Sequence, residues 1–257
     1  MTENTLTAVE RHALEQSPLG DLYAPKEKMR TIVVDNFPSL GKLAAMRFIE
    51  WVQHNPGGVI SLPTGKTPEH FIRWVTHVMS GWGTPEVVRE LEANGIDPGV
   101  KPDMASLYFV QIDEFYPIDP GQGNSFFSYV NKFYIEGFGL SPERALLMDC
   151  NEIGLLPGQT LSSVWPDGEV DLSLRNRAAQ TALESTQQQA LMRIDQWCQQ
   201  YEQRIRDLGG IGFFLGGIGP DGHIGFNVRG SDHFSTTRLT GVNYETQAAA
   251  AGGLGGI

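Results

Sequence analysis

Basic residues are scarce in this chain of 257 residues, which has 19 Lys and Arg against 30 Asp and Glu and a formal net charge of -11 at pH 7. Nucleic acids and anionic membrane surfaces are held by clustered cations, and no basic stripe runs through the sequence, so both classes of partner are excluded. A small anionic substrate is not, because a phosphate is held at short range by a few aimed donors whatever the distant charge. Cysteine is scarcer still. Cys150 and Cys198 form no CxxC pair and belong to no Cys/His cluster. That excludes a disulfide framework, a structural zinc and an iron–sulfur centre, and it points to a reducing, cytoplasmic setting. No apolar run approaches the roughly 20 residues that cross a bilayer. The opening stretch, MTENTLTAVERHALEQ, is polar and of mixed charge, without the basic start and apolar core of a secretory signal.

What is present suits one sizeable core, with 40% hydrophobic and 19% charged residues. Residues 1–28 read as a polar N-terminal extension with one short helix. A β–α rhythm follows over 29–257. Thr31, Ile32, Val33 and Val34 read as a short buried strand, and Leu40, Leu43, Ala44, Phe48, Trp51 and Val52 recur at helical spacing up to the stop at Asn55-Pro56-Gly57-Gly58. Val59 to Leu62 is a second strand, and Phe71, Val75 and Val78 mark the next helix. Residues 81–104 are punctuated by Gly and Pro, and Leu107 to Ile112 forms a strand ending in Asp113-Glu114. Phe126 to Phe133 reads as a helix and Ala145 to Met148 as a short strand. Residues 152–182, too long for a simple connection, read as an insertion that shields or modifies a site. Ile194, Trp197, Cys198, Tyr201, Ile205 and Leu208 share one helical face, and Ile211 to Leu215 reads as a buried strand. This alternation predicts an α/β fold, three-layer and Rossmann-like, with a mainly parallel sheet and helices on both faces.

In such sheets ligands sit beyond the carboxyl ends of the strands, so the loops that follow the apolar runs carry most weight. The first is Ser61-Leu62-Pro63-Thr64-Gly65-Lys66-Thr67-Pro68. Gly65 allows a tight turn, Thr67 suits a helix cap and Pro68 the first helical position, leaving free N–H groups for a phosphate; the alternative is a plain strand-to-helix turn. It is not a nucleotide-binding P-loop, whose earlier glycine would fall at Ile60. The second loop places Asp113 and Glu114 at the mouth of the sheet, where partial burial lifts a carboxylate toward the range of a useful base; the alternative is a solvated acidic turn. The third, GGIGPDGHIGFN from Gly216 to Asn227, has glycines, Gly217 and Gly219 among them, that let backbone approach a ligand. Two residues apart, Asp221 and His223 face one cavity, the acid holding the ring of a proton carrier; a purely structural histidine is the alternative.

LPTGKTP, then IDEFYP followed by Asn124-Ser125-Phe126-Phe127, then GGIGPDGHIGFN resemble, in order and at compatible spacing, three signature segments of the glucosamine-6-phosphate deaminase/isomerase family. The resemblance spans roughly residues 30–245. It implies a cytoplasmic enzyme of amino-sugar metabolism with the sugar-phosphate isomerase fold, needing no metal or organic cofactor and often a homo-oligomer. It implies that His223, oriented by Asp221, opens the pyranose ring and that Asp113 moves a proton from C2 to C1. It also implies that Thr64, Gly65, Lys66 and Thr67 cradle the phosphate, with Ser231 and Arg238 at family phosphate-site positions and Glu114 and Asn227 as further substrate contacts.

Three positions depart from the family pattern. Val228 follows Asn227 where the family has glutamate, Lys66 stands where glycine is usual, and the sequence ends at Ile257 before the late strands and lysine that the resemblance implies, which predicts a C-terminally incomplete domain. The related 6-phosphogluconolactonases are a rival reading, but Ile224-Gly225-Phe226-Asn227 after His223 follows the deaminase pattern. A sugar-phosphate-binding regulatory domain is the rival of another class, favoured by Val228.

Overall fold

Local capping explains the first helix of this computed structural model, which describes residues 6–18, 31–219 and 221–251. Thr7 and Glu10 form a reciprocal capping box at the start of α1, Ala8–Gln16. Polar as this segment reads, Val9 is fully buried, and Glu50 accepts the N–H groups of Ala8 and Val9. Helix α1 therefore docks on the domain; residues 19–28 of the expected extension lie outside the described residues. The strand expected at 31–34 is not formed. This stretch runs outside the sheet, with Thr31 exposed and the Val33 carbonyl taken by the Ser17 hydroxyl. β-branched composition makes a strand only where a ladder neighbour is at hand.

Helix α2, Phe37–His54, starts at Asn36, whose side chain accepts the Ser39 N–H, and it buries Ala45, Met46, Phe48, Ile49 and Val52. It leads into β1, Val59–Ser61, and then α3, Glu69–Ser80. Gly41 lies so close to α3 that a Cβ there would stand 2.4 Å from the Cβ of His70. The stretch 81–104 contains a helix that composition hides: α4, Pro85–Ala93, capped by Thr84. Strand β2 is Tyr108–Val110, α5 is Phe126–Val130 with a wider helical turn over Asn131–Glu136, and β3 is Ala145–Leu146. Residues 152–182 hold α6, Leu161–Val164, and a tight turn at Leu172–Arg175. Val164, Trp165 and Leu174 of this stretch are buried with residues of α7, Ala182–Asp207. Strand β4, Phe213–Phe214, and α8, Tyr244–Ala251, follow.

Among the described residues four strands pair in parallel in the order β3-β2-β1-β4. Alternating side chains separate two cores. Ile60, Leu107 and Phe109 pack with α2, α3 and α4, whereas Val59, Val110, Leu146 and Met148 pack with Ala190, Leu191, Ile194 and Tyr201 of α7. Helices thus cover both faces, as expected of the α/β class. One correction concerns β4. It is not a buried strand, because it occupies the sheet edge, where Phe214 is 50% exposed and Ile211 38%. The chain steps from β1 outward to β3 and returns on the other side to β4, so the order reverses between β1 and β4. At such a reversal the loops beyond the strand ends splay apart and leave a crevice.

Candidate functional site

The loops after β1, β2 and β4 meet beyond the strand ends. The Ser61 hydroxyl donates to the Val110 carbonyl at 2.7 Å, and the Leu215 N–H donates to the Ser61 carbonyl at 3.0 Å. A Cβ added to Gly217 would stand 3.7 Å from the Thr67 methyl, and one added to Gly225 would stand 3.0 Å from Ile112.

In the first loop Gly65 has φ +81°, a left-handed conformation that glycine adopts without strain. Thr64 is half-buried, and Gly65, Lys66 and Thr67 are exposed. The capping expected of Thr67 is not observed. Pro68 precedes the first helical residue, and no side chain caps α3. Its first N–H, that of Glu69, reaches the Lys66 carbonyl at 3.3 Å. The geometry follows from Pro68 sitting one residue earlier than the first helical position, which puts Thr67 out of capping range. The Tyr134 hydroxyl donates to the Pro63 carbonyl and pins the base of this loop.

In the second loop, buried Gln111 ties β2 to β3. Its amide donates to the Asp113 carbonyl at 2.9 Å, and its side-chain oxygen accepts the Met148 N–H at 2.9 Å. That leaves the Asp113 carboxyl at the strand end, where burial, reinforced by the charge of Glu114, raises its pKa from 3.8 to about 7. Glu114 behaves differently. Its two oxygens accept the N–H groups of Phe115, Phe126 and Phe127 at 3.0, 3.1 and 2.7 Å and the Ser125 hydroxyl at 2.9 Å. Burial still raises its pKa against these hydrogen bonds. Glu114 stands in the cavity wall and also has a structural part, because the N–H groups at the start of α5 need acceptors and Glu114 supplies them.

In the third loop Pro220 lies outside the described residues. Asp221 Oδ1 stands 2.5 Å from His223 Nδ1, and Asp221 Oδ2 accepts the Asn243 amide at 2.7 Å. The Asn243 bond, followed by that of His223, holds the Asp221 carboxyl below the usual range against the opposing effect of burial. Thr246 Oγ1 lies 3.2 Å from the same imidazole nitrogen. Gly219 is obligatory here, since a Cβ would stand 2.1 Å from the His223 ring. Gly225 and Phe226, with φ of +56° and +55°, form the centre of a tight turn closed by the Asn227 N–H on the Ile224 carbonyl. Left-handed backbone at a phenylalanine costs about 1 kcal/mol or more, and aromatic packing offsets it. The Phe226 ring lies 4.7 Å from Phe115, 5.9 Å from Phe126 and 5.7 Å from His223.

A cavity of about 490 Å³ runs from the end of β2 toward α7, with Asp113, Glu114, Phe226, Asn227 and Arg238 in its wall. Arg238 donates to the Asn227 side chain at 3.0 Å. Residues 64–67, Gly217, Gly219, Asp221, His223 and Ser231 lie outside that wall. His223 is joined to it by its contact with Phe226, and Gly217 approaches Thr67 beside it. Ser231 donates its N–H to the Val228 carbonyl at 3.0 Å within the loop that follows. Asn243 and Thr246 were not singled out by the sequence. The available signal was an Asn just ahead of a helix, since Asn243 accepts the Thr246 N–H at 3.0 Å.

No family model matches the chain. Similar proteins are found among curated ones. A glucosamine-6-phosphate deaminase of Bacillus velezensis is 26% identical over 223 residues, covering 87% of this chain and 69% of its own length. Glucosamine-6-phosphate deaminase 2 of Bos taurus is 26% identical over 230 residues, 87% of this chain and 62% of that protein. The glucosamine-6-phosphate deaminase of Caenorhabditis elegans is 51% identical over a shorter stretch of 59 residues, 23% of this chain and 22% of its own. The chain thus spans about two thirds of the length of the curated relatives it matches over most of its own. Among solved structures, a monomeric glucosamine-6-phosphate deaminase superposes with a TM-score of 0.59 at 22% identity over 87% of this chain and 69% of that one. That likeness concerns the fold.

Proposed function

Because this chain belongs to the glucosamine-6-phosphate deaminase family, we propose that it converts glucosamine 6-phosphate and water into fructose 6-phosphate and ammonia. The observation that carries this reading is the Asp113 carboxyl, placed in the cavity wall at the end of β2 and raised to about 7. A base must compete with water for a weakly acidic C–H, and a carboxylate whose charge is poorly solvated is the stronger base.

The steps follow from the two acid–base groups. His223, with its Nδ1 proton directed at Asp221, offers Nε2 to the sugar, takes the O1 proton and returns one to the ring oxygen, which opens the ring. Asp113 removes the proton from C2 of the open aldehyde, giving an enolamine, and delivers it to C1. The resulting C2 imine adds water, and ammonia leaves as the C2 carbonyl forms. In this reading residues 64–67 hold the phosphate with the Gly217 and Gly219 backbone alongside, the uncapped start of α3 contributes N–H groups, and Arg238, Ser231 and Asn227 complete the anion and hydroxyl contacts. Glu114 acts by fixing α5 and by keeping a negative charge beside Asp113. Since Val228 offers no carboxylate, ring opening rests on the Asp221–His223 pair. The substrate partner is a small sugar phosphate, the setting is cytoplasmic and the working unit is the α/β region from about residue 29 onward.

A coupled assay for ammonia and fructose 6-phosphate tests this. The wild type releases both in equal amounts, and Asp113→Asn loses at least about a hundredfold in kcat, as expected for removal of a general base. Val228 favours one other reading, a domain that binds the sugar phosphate without turning it over. Binding of glucosamine 6-phosphate with no ammonia released, unchanged in Val228→Glu, would establish that reading instead.

A further inference from the structure

We infer that Asn243 is a positioning residue for the Asp221–His223 pair, coupling the start of α8 to the group that moves the ring-opening proton. The inference rests on the reading of that pair given above. Its structural basis is that one side chain does two things at once. The Asn243 amide nitrogen donates to Asp221 Oδ2 at 2.7 Å, and its oxygen accepts the Thr246 N–H at 3.0 Å, satisfying a donor in the first turn of α8. Asp221 is thereby held at both oxygens, by His223 on one and Asn243 on the other. A carboxylate bonded at both oxygens cannot rotate about its side-chain axis, so the imidazole it faces keeps one orientation.

The need for an outside restraint comes from the loop itself. Asp221 and His223 sit among Gly217, Gly219, Gly222 and Gly225, a stretch of backbone with little stiffness of its own. Proton transfer demands placement within about 0.5 Å. Thr246, 2% exposed, adds a second contact from α8: its hydroxyl lies 3.2 Å from His223 Nδ1. With Asp221 ionised, Nδ1 carries the proton, the Thr246 oxygen shares it, and Nε2 remains for the substrate. The titratable group facing Asp221 is His223; Asn243 and Thr246 are neutral.

A residue that only capped α8 would tolerate Asn243→Asp, because aspartate caps as well as asparagine and has the same size. A positioning residue would not, because the variant loses the donor and sets a second carboxylate against Asp221. The expected result for Asn243→Asp is a kcat lower by about tenfold or more and a KM within about twofold of the wild type, with a thermal midpoint that approaches that of the wild type only at acid pH, where the facing carboxyls hold their shared proton. Carboxyl ¹³C NMR, assigned with Asp221→Asn, reads the cause directly. In the wild type Asp221 stays ionised below the ordinary aspartate range; in Asn243→Asp the two carboxyls share a proton and one titrates well above it. Asn243→Ala, which lacks both bonds, gives the same loss of kcat together with a lower thermal midpoint. Asn243→Asp with wild-type kcat and an unmoved Asp221 titration overturns the inference. Should the wild type release no ammonia from glucosamine 6-phosphate, the functional reading fails, and the ¹³C titration still decides whether Asn243 governs Asp221.

Discussion

Replacing Asp113 by asparagine separates the cost of the proposed base from its use. Burial raises this carboxyl from 3.8 to about 7, so between those values the folded chain binds a proton that the unfolded chain has released. Stability therefore falls as pH rises through that window, and the full penalty is present above pH 7. Each pH unit of the window is worth about 1.4 kcal/mol, which puts the ceiling on the order of 4 kcal/mol; the partial contact of Asp113 with solvent brings the expected effect to about 2–4 kcal/mol. Asparagine is close in size and never ionises. Urea unfolding of wild type and Asp113→Asn at pH 4.5, 6, 7 and 8 should show the variant more stable by about 1 kcal/mol at pH 4.5, with a gap that widens up to pH 7 and then levels. At pH 8 the midpoint of thermal unfolding should rise by roughly 5–15 °C, while turnover is lost. A gap that stays flat with pH, or a wild type more stable than the variant at pH 8, would refute the claim that Asp113 is held as a desolvated base.

Other outcomes follow from the same geometry. The acid limb of kcat/KM for glucosamine 6-phosphate should fall near pH 7, because the working form of Asp113 is the ionised one; a rate–pH profile flat from pH 5 to 8 contradicts this. Glu114→Gln keeps the size but weakens the acceptors facing three backbone N–H groups and should destabilise by about 1–3 kcal/mol in urea unfolding. Gly219→Ala drives a methyl group into the His223 ring, and a loss of ammonia release of at least about a hundredfold is expected; full activity would mean that the ring does not work where it lies. Lys66→Gly should raise KM by about five- to tenfold, the order of one charge-assisted contact to the phosphate, with little change in kcat.

The strand-end loops could be read from the sequence because each combines an apolar run with glycine and charge, and such loops share one end of a parallel sheet wherever the strands lie in it. What stayed hidden depends on contacts between distant parts of the chain. The stretch 31–34 has the composition of a strand, yet its backbone is engaged by Ser17 outside the sheet. Strand β4 has the composition of a buried strand but takes the edge, a matter of strand order that no local pattern encodes. Helix α4 was masked by the glycines around it, although Thr84-Pro85 is a start signal of the ordinary kind. The hold of Glu114 on α5 is not legible either, because nothing beside it announces that Ser125, Phe126 and Phe127 will turn their donors toward it. Asn243 and Thr246 lie some twenty residues beyond the histidine they serve, in no motif, and reach it because α8 folds back on the loop.

Proton exchange at the sugar carbons is the most direct test of the account. Glucosamine 6-phosphate incubated with the wild type in D2O and followed by NMR should lose its C2 proton as ammonia appears, with C1 of the product carrying hydrogen transferred from C2 or deuterium from solvent. Asp113→Asn should leave the C2 proton in place while His223→Gln slows the onset. Loss of the C2 proton at an undiminished rate in Asp113→Asn would contradict the assignment of that carboxylate as the base.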